Sequence, residues 1–178
     1  MGFMKVDDVY VDRDLALLRK HLSFLDHELA KVNTSIKRSA DPESDGWCEA
    51  GEYFIGHGFV AIQRYLTVTH TTLKIAKSAA LAVPPAAMEN LTFAAAINAG
   101  ANYWKHVEGW IEDLNNPKKG DLTKNAQKTI DDLEKITDWA DYTCSNLLAY
   151  LGDSTELTLS KLLPIIIEWR NNLISQAI

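Results

Sequence analysis

The stretch Leu91–Leu114, LTFAAAINAGANYWKHVEGWIEDL, decides the fold. Phe93, Ile97, Gly100, Trp104, Val107, Ile111 and Leu114 recur at alternating steps of four and three, the spacing of one helix face. Ala94 to Ala96, Ala99 and Ala101 keep the first half slim, so a neighbouring helix can come close. The second half is crowded with Asn102, Tyr103, Trp104, Lys105, His106, Glu108 and Trp110. Such a helix is expected at the centre of a bundle, with a groove at its crowded end.

Upstream, Asp12 to Lys37 carries Leu15, Leu18, Leu22, Leu25, Leu29, Val32 and Ile36 in the same three-four repeat, with charged residues on the other faces. That is an amphipathic helix with a narrow apolar seam. The seam packs on its own domain or, as the second reading, meets another copy in a homodimer. RSADPESDG (Arg38–Gly46) reads as a turn in which Asp41-Pro42 starts the next helix. That helix, from Trp47 to about Lys77, contains Gly51, Gly56 and Gly58. Each glycine costs about 1 kcal/mol against alanine in a helix interior, so close approach by another helix is the expected compensation. Gly51 and Gly58 are expected against the slim half of the organising helix.

Downstream, Asn115-Asn116-Pro117 ends the organising helix and Lys118-Lys119-Gly120 reads as an exposed loop. Asp121 or Thr123 caps a helix whose seam is Ala126, Ile130, Leu133, Thr137, Ala140, Cys144, Leu147 and Leu151, stopped by Gly152. Glu156 to Ile178 is helical with a kink or restart at Pro164. No strand-like alternation of useful length appears. The expected fold is all-α: a single domain, residues 1–178, built as an up-and-down bundle of about five long helices.

Composition narrows the function classes. Nearly half the residues are hydrophobic, 47%, which is globular rather than disordered composition. The net charge of −6 argues against nucleic-acid binding through bulk positive charge, while leaving room for a local basic groove. No apolar run reaches the roughly 18 residues of a membrane span. MGFMKVDDVY lacks the apolar core of a signal peptide, and Val6 stands where myristoylation at Gly2 wants Ser or Thr. Cys48 and Cys144 lie in helical patterns without metal-type spacing and read as reduced thiols of a cytoplasmic protein.

Chemistry has few places to sit. Glu49 and Glu52, three apart, are the metal-ligand candidates, but no His follows at the Glu-x-x-His spacing of carboxylate-bridged bundles, and a helix-start charge preference explains them as well. Phosphate-cradling loops, dinucleotide fingerprints and Gly-x-Ser-x-Gly elbows are absent, so no cofactor is expected. A polar strip does stand beside the seam of the organising helix: Asn98, Asn102, Lys105 and His106. On the last helix Arg170, Asn171 and Asn172 interrupt an apolar run, and a guanidinium placed there must find a carboxylate or an anionic ligand. If Asn102, Lys105, His106 and Arg170 share a pocket, it is an anion site, with His106 able to gain a proton as the anion enters.

The segment EWRNNLISQ, Glu168–Gln176, resembles the terminal helix of the HEPN superfamily. Those helical bundles carry Arg-Asn followed, four residues beyond that pair, by a His that completes an RNA-cleaving site in many members. Arg170 and Asn171 match, and Ser175 stands in the His position. The resemblance implies a helical bundle with Arg170 as a catalytic candidate; losing the signature His removes the natural general acid-base, and His106, from another helix, is the candidate to take over that role.

Three readings follow. The first is a cytoplasmic, non-enzymatic bundle acting through binding or self-association. The second is an HEPN-like ribonuclease, or a catalytically degenerate relative, in a toxin or defence setting, with RNA or a phosphate-bearing ligand as partner. The third is a metal-dependent bundle enzyme.

Overall fold

The computed structural model describes residues 4–6, 9–115, 122–138, 141–154 and 156–177. Within them the chain is an all-α bundle of seven helices. They are α1 (Arg13–Arg38), α2 (Trp47–Thr72), α3 (Lys77–Leu81), α4 (Phe93–Asn115), α5 (Lys124–Glu134), α6 (Thr143–Leu151) and α7 (Leu163–Ala177). The loop expected at 117–120, the cap Asp121, the seam residue Ala140 and Gly2 lie outside the described residues.

Helix α1 forms as its repeat dictates. The Asp12 side chain caps it, its Oδ1 accepting from the Leu15 amide at 2.8 Å, and Lys37 and Arg38 sit at the negative end of the helix dipole. Leu15, Leu18, Leu22, Leu25, Leu29 and Val32 are all buried within the bundle. Helix α2 packs antiparallel to α4, since Gly56 meets Trp104, Phe59 meets Gly100, and Gln63 meets Asn98 and Asn102.

Several expectations need correction. Asp41-Pro42 does not start α2: the Asp41 Oδ1 accepts from the Ser44 amide at 3.1 Å within a turn, and the helix begins only after Gly46, at φ 75°. Helix α2 stops at Thr72 rather than near Lys77, because its threonine-rich end is a poor helix former and Lys74 takes a left-handed φ of 57°. Strands are present after all, as two short antiparallel hairpins. One pairs β1 (Met4–Val6) with β2 (Val9–Val11), and the other pairs β3 (Ala86–Met88) with β4 (Leu91–Thr92). Strands of two or three residues are too short to print an alternation. Thr92 closes the second hairpin and caps α4, its Oγ1 donating to the Leu81 carbonyl and accepting from the Ala95 amide.

The helix expected from Thr123 to Leu151 is two helices. Thr123 does cap, its Oγ1 accepting from the Ala126 amide at 3.3 Å, but α5 ends at Glu134 and α6 starts after a left-handed Tyr142 at φ 48°. Ala126, Ile130 and Leu133 of the first half and Cys144, Leu147 and Leu151 of the second are buried. The seam is real and its continuity is not. At Pro164 the chain restarts: a 3-10 turn (Leu159–Leu162) leads into α7, whose first turn holds the proline where a missing N–H costs no bond.

The glycines act at other contacts than expected. A Cβ on Gly58 would collide with the Leu159 side chain, and one on Gly51 would sit 3.6 Å from the Val32 Cγ1, so neither faces α4. Gly56 is the α2 residue that admits α4, its backbone lying under the Trp104 indole, and Gly100 returns the fit beneath Leu147 and Phe59. Helix α4 is central only for its first half. Phe93, Ala94, Ala96, Ile97, Ala99 and Ala101 are buried, whereas Ile111 and Leu114 are exposed.

Candidate ligand-binding cleft

A cleft of about 980 Å³ opens where α3 and α5 flank the middle of α4. Four-residue spacing puts Asn98, Asn102 and His106 one turn apart along its α4 wall, with Trp110 one turn further. Between these polar positions lie Ala95 and Ala99, and Ala126 faces them from α5, so much of the surface is apolar and slim. Lys77 of α3 and Lys128 and Asp132 of α5 complete the charged lining. The His106 and Trp110 rings lie 6.1 Å apart between centroids, tilted by 32°. At this volume the cleft is the size of a drug-like ligand site.

Behind the α4 wall runs a hydrogen-bond chain. Lys105 Nζ donates to Gln63 Oε1 at 2.8 Å, and Gln63 Nε2 donates to Asn98 Oδ1 and to Asn102 Oδ1, both at 2.9 Å. Gln63 is buried, so satisfying it matters: a buried amide without partners is costly. Burial pulls the Lys105 ammonium below its ordinary value, and the charge on Lys77 adds to that pull. On the α5 side Asp132 is buried and accepts from Lys128 at 2.8 Å and Lys135 at 2.9 Å. Burial alone would raise the Asp132 carboxyl, but those two ammonium groups outweigh it and hold the carboxyl below its usual range.

The residues singled out from sequence divide between this cleft and the core. Asn98, Asn102 and His106 line the cleft together, and Lys105 joins them through Gln63. Arg170 does not line it. Its guanidinium pairs with Asp12 Oδ2 at 3.1 Å, and its Nε and Nη2 donate to Asn171 Oδ1 at 3.2 and 2.9 Å. The same Asp12 oxygen accepts from the Tyr65 hydroxyl at 2.6 Å; burial first, and that carboxylate second, push the phenol well above its ordinary range. Asn172 Nδ2 donates to the Pro84 carbonyl, and the Ser175 hydroxyl to the Asn171 carbonyl.

Glu49 is exposed. Glu52 has a different employment from metal binding: it accepts from the Cys144 amide at 2.7 Å, and from the Ser145 amide and hydroxyl at 2.9 and 2.8 Å. A residue of α2 thereby caps α6. Among the described residues no group of three or more His, Cys, Asp or Glu is placed to hold a metal ion. Cys144 is fully buried, and burial pushes its thiol well up, which leaves it a core group.

Sequence reasoning missed Gln63, Lys77 and Asp132. Gln63 had left a trace, as a polar residue between the apolar Ile62 and Tyr65 on the inner face of α2. Asp132 looked like one more charge on an acidic helix surface. Comparison with protein-family models, with curated proteins and with solved structures finds no match to this chain.

Proposed function

We propose that this chain is a non-enzymatic cytoplasmic binding protein whose small-molecule ligand sits in the α3–α4–α5 cleft. The observation that carries the reading is the Asn98–Asn102–His106 strip, three polar side chains in register along a slim apolar wall, the two asparagines braced from behind by Gln63. Binding needs a shaped cavity and a few oriented polar groups, and both are here. Two unpaired thiols, Cys48 and Cys144, fit a reducing compartment, and no described helix is long and apolar enough to cross a membrane.

Binding is favoured over RNA cleavage because the HEPN-type pair has no shared site: Arg170 is engaged with Asp12 and Asn171, and His106 stands in the cleft without it. A phosphate-bearing small molecule suits the cleft, and an RNA would enter by presenting one of its phosphates. The test is titration with 1-naphthyl phosphate, 1-naphthoate and neutral 1-naphthamide, followed by the Trp110 indole and the Asn98 and Asn102 side-chain amide signals in NMR spectra. At least one compound is expected to move these signals. If none moves them, or if all shifts fall elsewhere, the cleft is not the site.

Self-association is the second reading. The α1 seam is spent inside the bundle, so a homodimer through the first helix would use its outer face, where Leu17 and Phe24 stand 59% and 62% exposed and one heptad apart. Light scattering decides it: a concentration-dependent dimer that Phe24→Glu dissolves supports this face, and a monomer at all concentrations removes it.

A further inference from the structure

The hydrogen-bond chain behind α4 has a fixed direction. An ammonium group can only donate, so the Gln63 atom facing Lys105 must be its carbonyl oxygen. The other end of that amide is then the NH2 group, which can only donate, and the atoms of Asn98 and Asn102 that meet it must be their Oδ1 oxygens. Both asparagine NH2 groups are left pointing away from Gln63, and both residues line the cleft. Among the described residues nothing accepts from them. One lysine therefore sets the polarity of two amides it does not touch.

The charges agree with that polarity. Lys77 lines the cleft with no carboxylate partner among the described residues, and Lys105 has only the neutral Gln63. Asp132, the one acidic side chain among the described lining residues, already accepts from Lys128 and Lys135. The lining thus combines the two asparagines and the Lys77 ammonium with the small apolar surfaces of Ala95, Ala99 and Ala126, an alanine floor that runs toward Trp110.

We propose that the cleft takes a ligand with an anionic oxygen head and an apolar body, and that Gln63 is the residue that sets this preference. The head, a carboxylate or a phosphate, accepts from the Asn98 and Asn102 amides beside Lys77; the body lies on the alanine floor toward Trp110. The proposal rests on the cleft being the binding site and adds the class of ligand and the residue that selects it.

Gln63→Glu tests it. A carboxylate accepts from Lys105 and from the asparagine NH2 groups alike, so both asparagines turn and present oxygen to the cleft. The wild-type protein is expected to bind 1-naphthyl phosphate and 1-naphthoate at least about ten-fold more tightly than 1-naphthamide, the scale of hydrogen bonds to a charged group. The tighter of the two anions identifies the head as phosphate or carboxylate. Gln63→Glu is expected to erase the preference while keeping 1-naphthamide binding. Lys77→Met, at an exposed position, is expected to weaken both anions and leave the amide unchanged, which serves if the Gln63 variant does not fold. Equal affinity for anion and amide in the wild type, a preference that survives in folded Gln63→Glu, or, where that variant does not fold, one that survives Lys77→Met, overturns the proposal. Cleft signals that move with the amide as readily as with the anions would leave the binding site standing and remove its anionic selectivity; no movement with any probe removes the site itself.

Discussion

Arg170 and Asp12, 158 residues apart in sequence, form a buried ion pair with 3.1 Å between Nη1 and Oδ2. Asp12 thereby does three jobs, capping α1, accepting from Tyr65 and neutralising Arg170. Removing the guanidinium strands a carboxylate whose side chain is only 4% exposed. Arg170→Ala is expected to cost about 3–5 kcal/mol in denaturant unfolding, the range for breaking one side of a buried pair. Binding of 1-naphthyl phosphate by the folded variant should be unchanged. Unaltered stability with lost binding would return Arg170 to the ligand site.

The glycines of α2 should respond in opposite directions. Gly51→Ala meets Val32 at an ordinary 3.6 Å and gains helix propensity, so it should be neutral or stabilise by up to about 1 kcal/mol. Gly56→Ala drives a methyl into the Trp104 indole, and Gly58→Leu drives a larger group into Leu159; each should cost about 1–3 kcal/mol through overpacking. Thermal melts of the three variants give the ranking. A harmless Gly56→Ala would mean the indole swings aside freely.

Glu52→Ala should free the amides of Cys144 and Ser145 and destabilise by about 1–2 kcal/mol, as for a lost helix cap. Hydrogen exchange at those two amides should accelerate more than at α1. Glu52→Gln keeps one acceptor oxygen and should fall in between. Protection that survives Glu52→Ala would show that the cap is dispensable.

Acid should act through Asp132. Its carboxyl titrates below the ordinary 3.8 when folded, so its stabilising contribution is complete above that value and is lost as pH falls through the lowered one. Amide exchange in α5 should rise in that window, and Asp132→Asn should flatten the response. An α5 whose acid response is the same in both proteins would remove Asp132 as its cause.

The amount of this legible in sequence varied with the kind of contact. Helices α1, α4 and α7 follow from repeats that each contain their own cause, apolar residues at helical spacing with a cap or proline at the edge. The α5–α6 break escaped because Ala126 to Leu151 carries one unbroken apolar period, while the reason to turn, Glu52, lies on another helix. At the site, Asn98, Asn102 and His106 were visible as one strip because they share a helix face. The Arg170 partner was not visible, since a guanidinium near an apolar face needs a counter-charge and nothing local says whether protein or ligand supplies it. Gln63 showed only as a polar residue on the inner face of α2, and its role was hidden for the same reason: that role exists only once α2 and α4 are antiparallel neighbours.

The capping of α6 by Glu52 reaches into the order in which the chain folds. Helix α6 has nine residues, below the length at which an isolated helix persists in water, and its first amides find their acceptor 92 positions upstream. A peptide spanning 143–151 should therefore be largely coil. In refolding kinetics, substitutions at Glu52 should raise the unfolding rate more than they slow folding, a low φ-value, because this closure can form only after α2 is in place. Helix α6 is thus made by the tertiary structure rather than supplied to it.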